Sequence, residues 1–229
     1  MYKYMANGLN GNIGKLLQKY IDFQDNGDVF VHLAAKSYGS YKEIVKSNIV
    51  YLLKTIDFCK NNSIQNFIFF SAISIYNKDD IYSISKKLGE KILEESDLNV
   101  LVIRLPMVLT KDRKNGILNK IREKLEKNED VALYNAHKKF NNFICIEDIA
   151  YFIKNYRFDK NFEIVELATD SNMTFLEVVE LLKKSLNSNS KIQIEKDKDY
   201  LSIDLLKAKQ KGFKSYNTKK ALKDWLKWK

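Results

Sequence analysis

Tyr82 and Lys86 stand four residues apart in Tyr82-Ser83-Ile84-Ser85-Lys86, at the head of a strongly helical run. On a helix that spacing puts a phenol and an ammonium on one face, a turn apart. A neighbouring cation favours the phenolate over the phenol, so Tyr82 becomes a group that exchanges a proton at neutral pH, where an isolated tyrosine does not. With 13 tyrosines and 39 basic residues in the chain, chance pairs of this kind are common. The pair takes its meaning from the elements that position it.

Asn7-Gly8-Leu9-Asn10-Gly11-Asn12-Ile13-Gly14 follows Tyr2 to Ala6, a segment that reads as a short buried strand. Glycines at 8, 11 and 14 permit a tight turn, close approach of backbone amides to a phosphate, and close packing of the next helix on the strand. That helix is written in Ile13, Leu16, Leu17, Tyr20 and Ile21, which recur at i, i+3, i+4, i+7 and i+8. Strand, glycines and amphipathic helix in this order fit a dinucleotide site, against the plainer reading of a glycine-rich loop with no ligand.

Asp28 to Ala35 is an apolar run of strand length, and its end is where an open α/β sheet presents backbone to a ligand. His32, among apolar neighbours, reads as a packed core histidine rather than a catalyst. A helix is expected from Tyr41 to Cys59, with Ile44, Val45, Ile49, Leu52, Leu53 and Ile56 as its buried stripe. Asn48 lies inside that stripe and needs a partner, supplied either by neighbouring backbone or by an active site it organises. Asn66 to Ser71 is another buried strand, running into Ala72-Ile73-Ser74-Ile75-Tyr76; a short polar loop leads to the helix from Tyr82 to Glu95, and Leu98 to Leu105 is a strand closed by Pro106. Strands alternating with helices, without a hairpin signal, indicate a parallel, doubly wound sheet.

Beyond Pro106 the pattern loosens. Helices are expected at 117–125, around 149–153, and at 174–186, 205–209 and 218–228, with short strands at 131–134, 143–146, 162–168 and 191–194. Glu147-Asp148 suits a helix start, Thr174-Phe175-Leu176-Glu177 is a capping box, and Trp225 and Trp228 pack the last helix onto the body.

At 229 residues the chain suits one domain with a small appendage and can bury a sizeable core. Its net charge of +10 raises the question of nucleic acid, yet only Arg104, Arg113, Arg122 and Arg157 are arginines, and the lysines are spread over the whole chain. A nucleic-acid face concentrates its charge and favours arginine, so nucleic acid is not the expected partner. Cys59 and Cys145 lack metal-type spacing and read as reduced core residues. No metal, no membrane span and a cytoplasmic location are expected.

The glycine turn, His32-Leu33-Ala34-Ala35, Asn48, Ser71 after its strand, Tyr82-x-x-x-Lys86 and Arg104-Leu105-Pro106 together resemble the extended short-chain dehydrogenase/reductase family, in particular its NAD-dependent nucleotide-sugar epimerases, dehydratases and reductases, in a shortened form. The resemblance covers about Tyr4 to Tyr156 and reappears in Lys211-Gly212-Phe213 and the helix after it. It implies a Rossmann-like α/β core at 1–105 and 141–169, with a small α+β substrate-binding region at 106–140 and 170–229.

For the cofactor, NAD or NADP, the resemblance implies Gly8, Gly11, Asn12, Ile13 and Gly14 at the pyrophosphate, with Leu33, Ala34, Ala35, Asn48 and Leu105 as the surrounding wall. Tyr82 becomes the acid/base, Lys86 the group that holds the nicotinamide ribose and tunes Tyr82, and Ser71 or Ser74 the accompanying hydroxyl. Lys36, Ser71, Arg104, Asn141 and Asn142 become substrate candidates, and the helices at 41–59 and 82–95 a homodimer face. Three departures stand against this pattern. Little chain separates the glycine helix from Asp28, leaving only Asp22, Asp25 or Asp28 to read the adenosine ribose. Counting four residues back from Tyr76, where the family places its serine or threonine, reaches Ala72. The loop from Tyr76 to Tyr82 is short for a substrate wall. A relative that binds nucleotide or protein without turnover is therefore the competing expectation.

Overall fold

In a computed structural model of the chain, residues 2–110, 116–159, 161–216 and 218–227 are described. A five-stranded parallel sheet forms the centre. Its strands are β1 (Tyr4–Asn7), β2 (Val29–His32), β3 (Asn66–Ala72), β4 (Asn99–Leu105) and, much later, a strand at Phe162–Glu166, and they lie side by side in chain order. The expected doubly wound α/β fold is present.

The sheet is parallel because helices make its crossovers: α1 (Asn12–Leu17), then α2 (Tyr41–Val45) and α3 (Tyr51–Asn61), then α4 (Ile81–Glu94). Strand alternation splits the core into two layers. Val29, Val31, Ile68, Phe70, Leu101 and Ile103 pack with Leu17, Ile21 and Ile149 on one face. Phe30, Phe67, Phe69, Val100 and Val102 pack with Leu52, Ile56 and Leu93 of α3 and α4 on the other. Strands buried on both faces have no polar side to alternate, which is why they read as unbroken apolar runs.

The chain then builds its second region from β5 (Met107–Val108), α5 (Ile117–Glu126), β6 (Val131–Leu133) and β7 (Phe143–Ile144). Helix α6 (Ile146–Asn155) returns to pack beside α1, and β8 (Phe162–Glu166) completes the central sheet. After it come α7 (Phe175–Ser185), β9 (Ile192–Ile194), α8 (Leu206–Gln210) and α9 (Thr218–Leu226). The pairs β5–β7 and β6–β9 are small separate sheets, and a third core joins Leu118, Leu133, Phe143, Val178, Leu222 and Trp225. Trp225 packs as expected; Trp228 lies outside the described residues.

Two details depart from the sequence reading. The helix expected at 41–59 is interrupted by a π-helical turn at Lys46–Val50, which holds Asn48. The buried positions are Ile44, Asn48, Leu52, Thr55, Ile56 and Cys59, a single helical stripe, while Val45 and Leu53, expected to be buried, lie beside it and are exposed. Cys59 and Cys145 are buried free thiols, and burial pushes Cys59 up to about 12. Among the described residues, no helix is long and apolar enough to cross a membrane and no cluster of metal-ligating side chains forms.

Candidate active site

Register aligns the carboxyl ends of three strands, with Asn7 beside His32 and His32 beside Phe69, while β3 runs three residues further to Ala72 next to Leu105. The glycine turn, the loop at 33–36, the end of β3 and the head of α4 share this edge, where open parallel sheets hold ligands.

Gly8 takes φ +70°, and a Cβ there would lie 2.5 Å from Ala34 N; one at Gly14 would lie 2.5 Å from Gly8 O. The turn is therefore packed backbone to backbone against the Leu33–Ala34 peptide, and no side chain fits at either position. Asn7 locks the arrangement. Its Oδ1 accepts from Leu33 N at 3.0 Å and Ala34 N at 3.1 Å, while its Nδ2 donates to His32 Nδ1 at 2.9 Å and Thr55 Oγ1 at 3.2 Å. Gln18 Nε2 ties the far side of the turn through Leu9 O at 3.0 Å. Gly11, Asn12 and Ile13 sit at the outer lip of the turn, Gly11 and Asn12 exposed. A cradle of bare backbone of this kind fits a phosphate group.

His32 is the packed core histidine the sequence indicated. It is buried among Tyr51, Phe67 and Phe69, and desolvation, with the nearby Lys86 charge, pulls it down to about 3.

Asn48 Oδ1 accepts from Lys36 N at 2.7 Å, and its Nδ2 donates to Lys36 O at 3.0 Å and to Ser85 Oγ at 2.9 Å. Backbone thus satisfies Asn48 in part, and through Ser85 it ties the β2 loop to α4. Both amide hydrogens and one lone pair of Oδ1 are engaged inside the protein. The Lys36 side chain pairs with Glu43 at 2.6 Å, and Glu43 also forms a capping box with Ser40; these contacts hold its carboxyl down to about 2.

Tyr82 and Lys86 occupy the first two turns of α4, which Asp80 caps through Ser83 N at 2.8 Å. Lys86 is 3 % exposed. Its Nζ donates to Phe70 O at 2.7 Å and lies 4.6 Å from the centre of the Phe69 ring and 6.0 Å from that of Tyr82. Burial lowers it to about 7, and the Glu90 carboxylate one turn on opposes the fall. An ammonium poised there responds to any anion brought close, because a neighbouring negative charge restores its proton.

Arg104 meets Glu90 with two nitrogens, Nε to Oε1 at 3.0 Å and Nη2 to Oε2 at 2.6 Å, and also contacts Tyr76, which bonds Glu166. For Arg104, expected on the substrate side, the structure shows a guanidinium engaged in a bidentate pair that anchors α4 to β4. Asn141 is likewise given to the fold, since its amide donates to Ile203 O at 2.8 Å and accepts from Ile203 N at 3.2 Å. Asn142 holds Leu201 O at 3.1 Å and also lines a cavity of about 400 Å³ with Tyr134, Phe140, Phe175 and Tyr200.

Of the serines, Ser74 Oγ pairs with Ser83 Oγ at 2.8 Å, whereas Ser71 Oγ is buried without a hydrogen-bond partner among the described residues. Ala72 is buried at the end of β3. Asp28 binds Lys3 N at 2.9 Å, at the amino end of the sheet and away from the glycine turn. Asn7, Ser85 and Glu90 were not singled out by the sequence reading; each sits immediately beside, or one helical turn from, a motif that was, and that adjacency was the available signal.

No protein-family model matches the chain, and no curated protein matches it. Solved structures do. RMD from Pseudomonas aeruginosa, complexed with NADPH, superposes with a TM-score of 0.81 at 14% identity, covering 100% of this chain and 98% of that one. A UDP-N-acetylglucosamine 4-epimerase from Methanobrevibacter ruminantium gives 0.77 at 17%, covering 99% and 97%. The UDP-glucose 4-epimerase of Thermotoga maritima, bound to UDP-glucose, gives 0.75 at 16%, covering 99% and 98%. Over its whole length the chain has the fold of the extended short-chain dehydrogenase/reductases, the NAD-dependent epimerase/dehydratase enzymes.

Proposed function

We propose that the chain is an NAD(P)-dependent enzyme of nucleotide-activated sugars, an epimerase, dehydratase or reductase, in which Tyr82 moves the proton of a sugar hydroxyl. The observation that carries this reading is Lys86: a buried ammonium one helical turn from Tyr82, fixed to Phe70 O at the strand edge it shares with the glycine turn. The ligand class comes from structures of the same fold that hold NADPH and UDP-glucose.

Bound nicotinamide would supply hydride exchange at a sugar carbon. The residues of this chain do the rest. Gly8, Gly11, Asn12, Ile13 and Gly14 hold the pyrophosphate on bare backbone; Leu33, Ala34, Ala35 and Leu105 form the wall beside it. Lys86 holds the nicotinamide ribose and, while protonated, stabilises the Tyr82 phenolate. Ser71 is the better of the two serine candidates, because its hydroxyl is uncommitted while that of Ser74 is held by Ser83. Lys36 and Asn142 face the substrate side, and the region at 106–140 and 170–229 binds the nucleotide sugar beside the core at 1–105 and 141–169. Leu53 of α3 with Ile84 and Leu88 of α4, all exposed, form a homodimer face.

Ala72 favours a second reading, in which the site binds nucleotide without turnover. Titration with NADH and NADPH, followed by nicotinamide fluorescence and then by assay of UDP-sugars, separates the two. Binding with turnover, lost in Tyr82→Phe, is the expected result. Binding without turnover supports the second reading, and failure of both cofactors to bind at millimolar concentration overturns the first.

A further inference from the structure

In dinucleotide folds the acidic residue that reads the adenosine ribose stands about twenty residues past the first glycines, at the carboxyl end of the next strand. Asp28 has that spacing from Gly8. The structure nevertheless puts it at the opposite end of the sheet. Its Oδ2 accepts from Lys3 N at 2.9 Å, and its own N–H donates to Lys3 O at 2.9 Å. Phe23 makes a parallel bridge to Tyr4, Gln24 N donates to Tyr4 O at 2.8 Å, and a Cβ at Gly27 would lie 2.7 Å from Lys3 O.

Residues 23–28 therefore pass under the amino end of β1 and re-enter the sheet on its other side as β2. The level of Tyr4 is three residues from that of Asn7, about 10 Å at ~3.3 Å per residue. Asp22 and Asp25, which flank the Phe23 bridge and Gln24, share the amino-end position with Asp28. Along the carboxyl half of β1, Met5, Ala6 and Asn7 are only half-buried, whereas every residue of β2 is buried. Among the described residues, the one bridge on the outer edge of β1 is that at Tyr4. The glycine cradle and the dyad thus fit one half of a dinucleotide, and among the described residues the outer edge of β1 beside the cradle carries no further strand, and the three aspartates between α1 and β2 lie at the other end of the sheet.

We infer that the chain binds its nicotinamide cofactor without reading the adenosine ribose, so that a 2′-hydroxyl and a 2′-phosphate are accepted alike. The inference rests on the cofactor reading proposed above. The lysine-rich surface adds a diffuse pull on the extra phosphate of NADPH, which salt at physiological strength screens beyond about 8 Å.

The test is titration of the full chain with NADH and with NADPH at physiological ionic strength, read by nicotinamide fluorescence and by calorimetry. Dissociation constants within about threefold of each other are expected, a difference well below one tenfold step of affinity. The variants Asp22→Asn, Asp25→Asn and Asp28→Asn are expected to leave that ratio unchanged, while Asp28→Ala, which removes the acceptor for Lys3 N, is expected to lower the melting temperature as well. A preference of about thirtyfold or more for either cofactor, or a ratio that moves with one of these aspartates, overturns the inference while leaving the cofactor reading intact. Failure of both cofactors to bind overturns the two together.

Discussion

Asn48 Nδ2 and Ser85 Oγ meet at 2.9 Å across the seam between the π-helical turn and α4, and Ser85 Oγ in turn donates to Tyr82 O at 2.7 Å. A buried amide on one helix thereby fixes the backbone that carries the proposed base. In Asn48→Ala, Lys36 N, Lys36 O and Ser85 Oγ lose their partner together, and stability falls by about 2–3 kcal/mol in urea denaturation. Asn48→Asp keeps the acceptor for Lys36 N but not the donor, and is expected to fall between wild type and Ala. A loss below about 0.5 kcal/mol in Asn48→Ala would show that the seam is held elsewhere.

The proposed chemistry is probed most directly at Tyr82. Tyr82→Phe removes only an oxygen, so cofactor titration curves are expected to overlay those of the parent. Turnover is expected to drop by about 10²–10⁴-fold, the range for loss of a general acid or base. Equal turnover of any UDP-sugar by the two proteins would assign the proton transfer to another group.

Lys86 gives the stability a particular pH dependence. Its ammonium sits at about 7 in the fold against an ordinary 10.5. Below 7 both folded and unfolded chains hold the proton, and the full cost of burying the charge is present. Between 7 and 10.5 the folded chain releases the proton while the unfolded chain keeps it, so stability rises with pH. Lys86→Met lacks this response. From pH 7 to 9.5, wild type is expected to gain on the variant by on the order of 3 kcal/mol in chemical denaturation. Parallel pH profiles would contradict the assignment.

Asp148 acts in the opposite pH window. Burial, aided by Glu147, raises its carboxyl to about 7 from the ordinary 3.8, although Tyr216 N donates to it at 2.6 Å. The folded chain then holds a proton that the unfolded chain has released between 3.8 and 7, so this contribution to stability is present at low pH and is lost as pH rises through 7. Asp148→Asn keeps an acceptor for Tyr216 N and removes the titration. Relative to wild type it is expected to be more stable at pH 7 than at pH 4, by on the order of 2 kcal/mol. A difference independent of pH would place the titration elsewhere.

Glu90 and Arg104 form a bidentate pair whose side chains are 6% and 16% exposed. Breaking it from one side leaves a charge with little water, and Glu90→Leu or Arg104→Met alone is expected to cost about 3 kcal/mol. The double variant is expected to cost less than the sum of the two, by 1 kcal/mol or more, on the order found for contacting residues. Additive losses would mean that the two side chains act independently.

Much of this molecule was legible because its strands are buried on both faces. Runs such as Phe67 to Phe70 and Val100 to Ile103 announce a parallel sheet, and the glycines and the Tyr82–Lys86 spacing mark its ligand edge. What stayed hidden was of two kinds. Hydrogen bonds between distant polar side chains, such as those of Asn7 with Thr55 or Asn141 with Ile203, leave no periodic trace in the sequence. Local departures from regular helix, such as the π-helical turn that holds Asn48, follow tertiary partners rather than local preference. Neither arginine nor asparagine reveals from its neighbours whether its donors are already taken, as those of Arg104 are by Glu90 and that of Asn141 by Ile203.

The passage of residues 23–28 beneath β1 also governs how the protein assembles. With that detour the first four strands stand in the sheet in the order in which they leave the ribosome, each pairing with the one before it. Every early pairing closes a loop of moderate length around a single crossover, and only β8 must wait for the whole second region to be made. Because the entropy of closing a loop grows slowly with its length, that last pairing is not much dearer than the others, but it comes late. Until it forms, β4 has an open edge, and the nascent chain is at its most prone to stick to its neighbours.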